Sequence, residues 1–259
     1  MSDWLHSLPL AWMAVLVFGF VYLLTAAIHM GVNFLAIRGG ARSFKAVSPG
    51  MLPPLGIIFG LFVAFTAAQV WNDNQSANAI VDREASALKS VVIFAASLPA
   101  DAEARLRALI RTYAEEAATR EWPVMAKREA TLGVTPQPLA EALKLTLALA
   151  PANQGQETAQ RKIVDALETA FDARRQRIIL SRSQVNLVKW ACLLLQAACA
   201  LLAIALVHCD DRRASAITMG LFATGVAASV LLIAAHDRPF IGELAVGPEA
   251  LLQALPTAQ

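Results

Sequence analysis

His29 and Asn33 stand four residues apart in a run that has no Asp, Glu, Lys or Arg between Asp3 and Arg38. That spacing puts both on one face of a helix. There the imidazole and the carboxamide could hydrogen-bond a neighbouring helix, or they could form an intramembrane functional site. Thr66, Gln69 and Gln196 are further polar side chains within apolar runs. His208, Cys209, Asp210 and Asp211 are metal-ligating types placed consecutively. A metal site needs three or four converging ligands, which adjacent residues in one turn rarely supply, so a solvated loop is the better reading. No Ser, His and acid set can be assembled, and no Rossmann or Walker glycine pattern is present. Catalysis, a metal centre and a cofactor are therefore not expected.

Two other features ask for more than packing. Ile57, Leu61 and Phe65 are spaced by four and form a bulky apolar stripe, while Gly56, Gly60 and Ala64 each precede one of them and form a parallel stripe of small residues. Ordinary close packing of helices would produce this pattern. So would a hydrophobic constriction around a symmetry axis, which gates by size and dewetting. The second feature is Asp237-Arg238-Pro239-Phe240-Ile241-Gly242. Adjacent opposite charges followed by proline and an aromatic can anchor a tail against other elements, or simply mark an interfacial stop.

The elements that must position these residues follow from hydropathy. The chain has 259 residues, 57% of them hydrophobic and only 16% charged, against about 25% charged in an ordinary soluble domain. The excess falls into four blocks: Leu8 to Ile37, Leu52 to Trp71, Leu187 to Val207 and Ala214 to Ala235. Each reaches the ~20 apolar residues that cross a bilayer. The first block opens MSDWLHS and is too long for the core of a cleavable signal, so a retained helix is expected. Pro53 and Pro54 suit the first turn of the second block. Trp190 sits where an interfacial aromatic would.

Residues 72–186 carry 15 Lys and Arg and 14 Asp and Glu, a density that lipid does not accept. The fold class expected is all-α: an integral membrane protein with two transmembrane hairpins, 8–71 and 187–236, around a helical extramembrane insert, 72–186, with a tail, 237–259, packed on the insert. No Gly or Pro separates the second block from the apolar-periodic stretch to Leu98, which predicts one helix of about 45 residues. The stretch from Glu157 is expected to run unbroken into the third block. A helix over Ala102 to Arg120 is expected to end at Trp122-Pro123. Gly133 to Pro138 reads as a turn, and Pro151 to Gln156 as a polar linker.

Both termini and the insert share one side of the membrane in this plan. Arg83, Lys89, Arg174, Arg175, Arg177, Arg182 and Arg238 lie near membrane ends on that side, against Arg38, Arg42, Lys45, Arg212 and Arg213 on the other. The surplus predicts a cytoplasmic insert. The net charge of +2 is too small to suggest nucleic acid as a partner.

The run Gly56 to Phe65, followed by Trp71 and a charged helix through Asp82, Arg83 and Glu84, resembles the second transmembrane helix of bacterial bestrophins. Pro239-Phe240-Ile241-Gly242, with Leu251, Leu252 and Leu255 beyond it, resembles the segment after their last transmembrane helix. Block two, Glu121-Trp122-Pro123 and Asp237-Arg238-Pro239-Phe240 also resemble recurring patterns of the bacterial bestrophin-like family, over nearly the whole chain. The resemblance implies a pentameric channel of the bacterial inner membrane, with insert and termini cytoplasmic. Its partners would be the lipid bilayer, small inorganic ions (chloride foremost) and further copies of itself. It makes Ile57, Leu61 and Phe65 the pore neck, and Pro54, Ile58, Thr66 and Gln69 candidate pore-lining residues. Trp71, Trp122, Pro123, Asp237, Arg238, Pro239 and Phe240 become structural motif positions. Two departures matter. Thr66-Ala67-Ala68-Gln69 replaces a polar, often basic, run, and Glu243 stands without an acidic cluster, so calcium gating is not expected. The competing expectation is a non-conducting membrane sensor or scaffold whose insert binds a ligand or partner.

Overall fold

The computed structural model describes residues 8–37 and 48–254. Arg38, Arg42, Lys45 and Leu255 lie outside them. Among the described residues the regular elements are helical: α1 Leu10–Leu35, α2 Leu52–Ala95, α3 Ala100–Glu116, α4 Trp122–Ala126, α5 Gln137–Leu147, α6 Gln154–Leu180, α7 Leu187–Val207, α8 Arg212–His236 and α9 Glu249–Gln253. Four of these helices have the length and apolar composition to cross a membrane, namely α1, α2 with the short turn before it, α7 and α8.

The chain divides into two compact units. Among the described residues the first comprises 8–37, 48–72, 184–238 and 242–244. In it α1 packs on α7 and α8, which also pack on each other. Its core is built from Met13, Val21, Phe59, Leu193, Leu201, Met219, Ala223 and Ile233, with alanines where backbones approach. Glu243 caps the start of α1, where the Leu10 N–H donates to its carboxylate at 3.3 Å, a favourable place for a negative charge. Asp211 caps α8 by accepting from the Arg213 and Ala214 N–H groups, so the His208–Asp211 turn serves as a helix start.

Among the described residues the second unit comprises 73–183, 239–241 and 245–254. Here α5 packs on α3 and α6, and α9 packs on α3. Leu88, Val91, Leu106, Ile110, Met125, Leu139, Ile163, Leu167 and Leu251 fill its core.

Two expectations are corrected. The helix through Glu157 does not continue into the third apolar block: α6 ends at Leu180 and α7 begins at Leu187. The intervening Ser and Asn side chains bond locally instead. The Ser181 hydroxyl donates to the Ile178 carbonyl, and Asn186 caps α7 by accepting from the Val188 N–H. Such residues offer the backbone an alternative to the helix ladder. Nor does Trp122-Pro123 end a helix. The chain widens into a π turn over Ala117–Glu121 and continues as α4. Pro123 has no N–H to donate, and the Trp122 N–H reaches back five residues to the Ala117 carbonyl, so the turn absorbs the proline at the start of α4.

Candidate functional site

Helix α2 carries the candidate face. Its first half shows two sides. Phe59, Thr66 and Val70 are buried in the first unit, and the Phe59 ring lies 5.6 Å from that of Phe222 on α8. Ile57, Leu61 and Phe65 are 62%, 53% and 74% exposed, and Ile58 and Pro54 are exposed beside them. The bulky stripe thus lies on the side of α2 that the chain leaves uncovered. Thr66 is set apart from it, 4% exposed, with its hydroxyl donating to the Phe62 carbonyl at 2.8 Å. That places Thr66 on the packed side, unlike Pro54 and Ile58. Gln69 is half-buried and its amide oxygen accepts from the Lys189 ammonium. Trp71 is exposed, and its ring lies 5.7 Å from the His236 ring at a tilt of 41°.

Within the same unit, His29 and Asn33 bond each other at 2.8 Å, and the Ser215 hydroxyl on α8 lies 3.3 Å from His29 Nδ1. The pair therefore ties α1 to α8. Asp237 is buried and accepts from the Val185 N–H at 2.5 Å, and Arg238, also buried, reaches the Gln184 amide.

The second unit brings the tail and the Trp122 motif together. Phe240 meets Trp122 edge-on at 6.0 Å, and the Trp122 indole N–H donates to the Val246 carbonyl at 3.0 Å. The Val246 N–H in turn donates to the Pro239 carbonyl, folding the tail onto Trp122. Pro123 is exposed. The Arg177 guanidinium lies over the Trp122 ring, 4.3 Å from its centre, a cation–π arrangement.

Arg177 is the centre of a buried ionic cluster. Its Nε donates to Glu84 Oε2 at 2.7 Å, and its Nη2 donates to Glu84 Oε1 at 3.0 Å and to Glu121 Oε2 at 2.8 Å. Arg174 Nε and Nη2 donate to the other Glu121 oxygen, and the Tyr113 hydroxyl donates to Glu84. Arg177 and Glu84 have no solvent exposure at their side chains. Burial works against the Arg177 charge, yet Glu84 together with Tyr113 and Glu121 holds its guanidinium above the ordinary arginine range. Burial, then the Glu84 carboxylate, pushes the Tyr113 phenol well above its usual value. Two carboxylates face two guanidiniums, so the charges balance, and helices α2, α3 and α6 are joined to the π turn.

The sequence matches the family described as Bestrophin-like domain over residues 19–251. The chain belongs to the Bestrophin-like domain family. Among solved structures it is similar to a single-substitution form of a bacterial bestrophin homolog from Klebsiella pneumoniae, with TM-score 0.69, 12% identity, and coverage of 93% of this chain and 97% of that one. Another crystal structure of that homolog gives TM-score 0.67 and 13% identity, covering 91% of this chain and 94% of that one. A substituted form of a protein described as a membrane protein gives 0.66 and 15%, covering 93% and 95%. No curated protein matches the chain. At these identities the structural likeness shows the bestrophin fold.

In this Bestrophin-like chain the ionic cluster escaped sequence reasoning, because charges on helices read as solvated faces. A signal was nonetheless present. Glu84 interrupts the apolar stripe Ala77, Val81, Leu88 and Val91, and Arg174 and Arg177 interrupt the stripe Ile163, Leu167, Ala170 and Ile178. A charge at an apolar position on each of two helices is a mark of a buried pair.

Proposed function

We propose that copies of this chain surround a common axis and form a bestrophin-like ion channel, with Ile57, Leu61 and Phe65 as its neck. One observation carries this reading: three bulky apolar side chains, four residues apart, stay more than half exposed on a helix whose opposite side is packed. Membership of the Bestrophin-like domain family supports it. Stacked apolar rings narrow a pore and expel water, and an ion entering them must shed hydration that the rings do not replace. Rearrangement that widens the rings is then the gate. Pro54 and Ile58 line the approach, and Gln69 lines the far side with Lys189 beside it. The α2 N-terminus contributes partial positive charge, which favours chloride and other small anions. Five copies form the ring, in the bacterial inner membrane, with the insert and termini cytoplasmic as the arginine surplus on that side favours. Trp122, Phe240 and the Arg177 cluster hold the insert that supports the ring.

The test is anion flux from liposomes holding the purified protein. Phe65→Ala widens the neck, and chloride efflux is expected to rise about tenfold or more over wild type, since each 1.4 kcal/mol removed from a barrier is a factor of ten. No efflux from either protein contradicts the reading.

A further inference from the structure

The second unit contains a cavity of about 480 Å3, within the size range of small-molecule sites. Its walls are the π turn, Val124 on α4, the loop residues Glu129, Ala130, Thr131, Val134, Thr135 and Pro136, and Arg174 on α6. A π turn in a helix wall recurs at functional sites. The lining charges do not all cancel one another. Glu116 pairs with Arg120 at 3.6 Å, and Glu121 is held by Arg174 and Arg177. Glu129 lines the cavity and makes no ion pair among the described residues. Arg174 is only 7% exposed, and its Nε and Nη2 both point at one Glu121 oxygen. Of a guanidinium's five N–H donors, both on Nη1 therefore remain uncommitted, at a side chain that lines the cavity.

A buried guanidinium with spare donors and an uncommitted carboxylate lining the same cavity fit a molecule of both signs. A plain anion would meet three lining glutamates against two arginines. A plain cation would leave the Arg174 donors unused. We propose that this cavity binds a small zwitterion of the amino-acid type. Its carboxylate accepts from Arg174, its ammonium group pairs with Glu129, and its apolar part lies against Val124, Val134 and Pro136. This binding site stands whether or not the protein conducts ions.

The test uses the full-length protein in detergent, titrated with the free α-amino acids while thermal unfolding is followed. N-acetyl and methyl-ester forms serve as probes lacking one charge. The expected result is a saturable rise in Tm with at least one free amino acid, and no rise with either blocked form. Glu129→Gln should weaken that binding about tenfold, and Val134→Trp, at a side chain 65% exposed, should abolish it by filling the cavity, with the ligand-free Tm unchanged in both. The proposal is overturned by no saturable shift up to about 10 mM, a range that covers weak millimolar ligands. Equal binding of the blocked forms, or binding that survives both substitutions, also overturns it.

Discussion

Glu84 and Arg177 illustrate how a buried charge pair shapes stability without necessarily adding to it. The pair repays its desolvation only because every partner is in place: two glutamates, a second arginine, the Tyr113 hydroxyl and the Trp122 face. Removing one partner is therefore worse than removing both. Arg177→Met strands Glu84 as an unpaired buried carboxylate and is expected to cost about 3–5 kcal/mol, seen as a large drop in Tm, whereas Glu84→Gln combined with Arg177→Met should recover much of the loss. A single variant as stable as wild type would refute the cluster's role. Tyr113 gives a pH test. An unfolded tyrosine releases its proton near pH 10, about its ordinary value. In the folded protein the phenol stays protonated higher, so above that point unfolding releases a proton. The stability it contributes is complete below about pH 10 and is lost as pH climbs through the raised folded value. Tm should therefore fall as pH rises above about 10. Tyr113→Phe should flatten that fall, and an unchanged slope would contradict the assignment.

At the scale of elements, the apolar blocks were legible because length and hydropathy alone decide a membrane span. All four appear as helices, and the second continues through Ala95 without a break. The stop before α7 was not legible. Ser181, Ser183 and Asn186 read as ordinary polar residues until their side chains are seen bonding to backbone and to Asp73. The π turn was hidden for a related reason, since a proline announces a missing hydrogen bond and not how the helix accommodates it. Of the candidate site, spacing revealed the bulky stripe, but only the structure separates Thr66 from it. That two-sidedness sharpens the efflux experiment. Phe59→Ala removes a packed ring on the covered side and should cost about 3–5 kcal/mol of stability, seen as a lower Tm, without the gain in efflux expected of Phe65→Ala.

For the whole molecule, a single chain leaves a broad apolar surface exposed along α1, α2, α7 and α8. Lipid covers most of such a surface in a membrane protein; the proposed channel instead turns the bulky stripe of α2 toward a shared axis. The distinction lies in what faces the stripe in the membrane. A single cysteine at position 61 decides it, introduced as Leu61→Cys after Cys192, Cys199 and Cys209 are replaced by alanine, with mild oxidation of intact membranes. Around a narrow common axis the introduced thiols of neighbouring copies come within disulfide reach, Cα atoms about 4.4–6.8 Å apart. The account predicts a cross-linked dimer band that a reductant removes. A thiol that forms no cross-link while reacting readily with a lipid-phase reagent would place the stripe against lipid and contradict the neck.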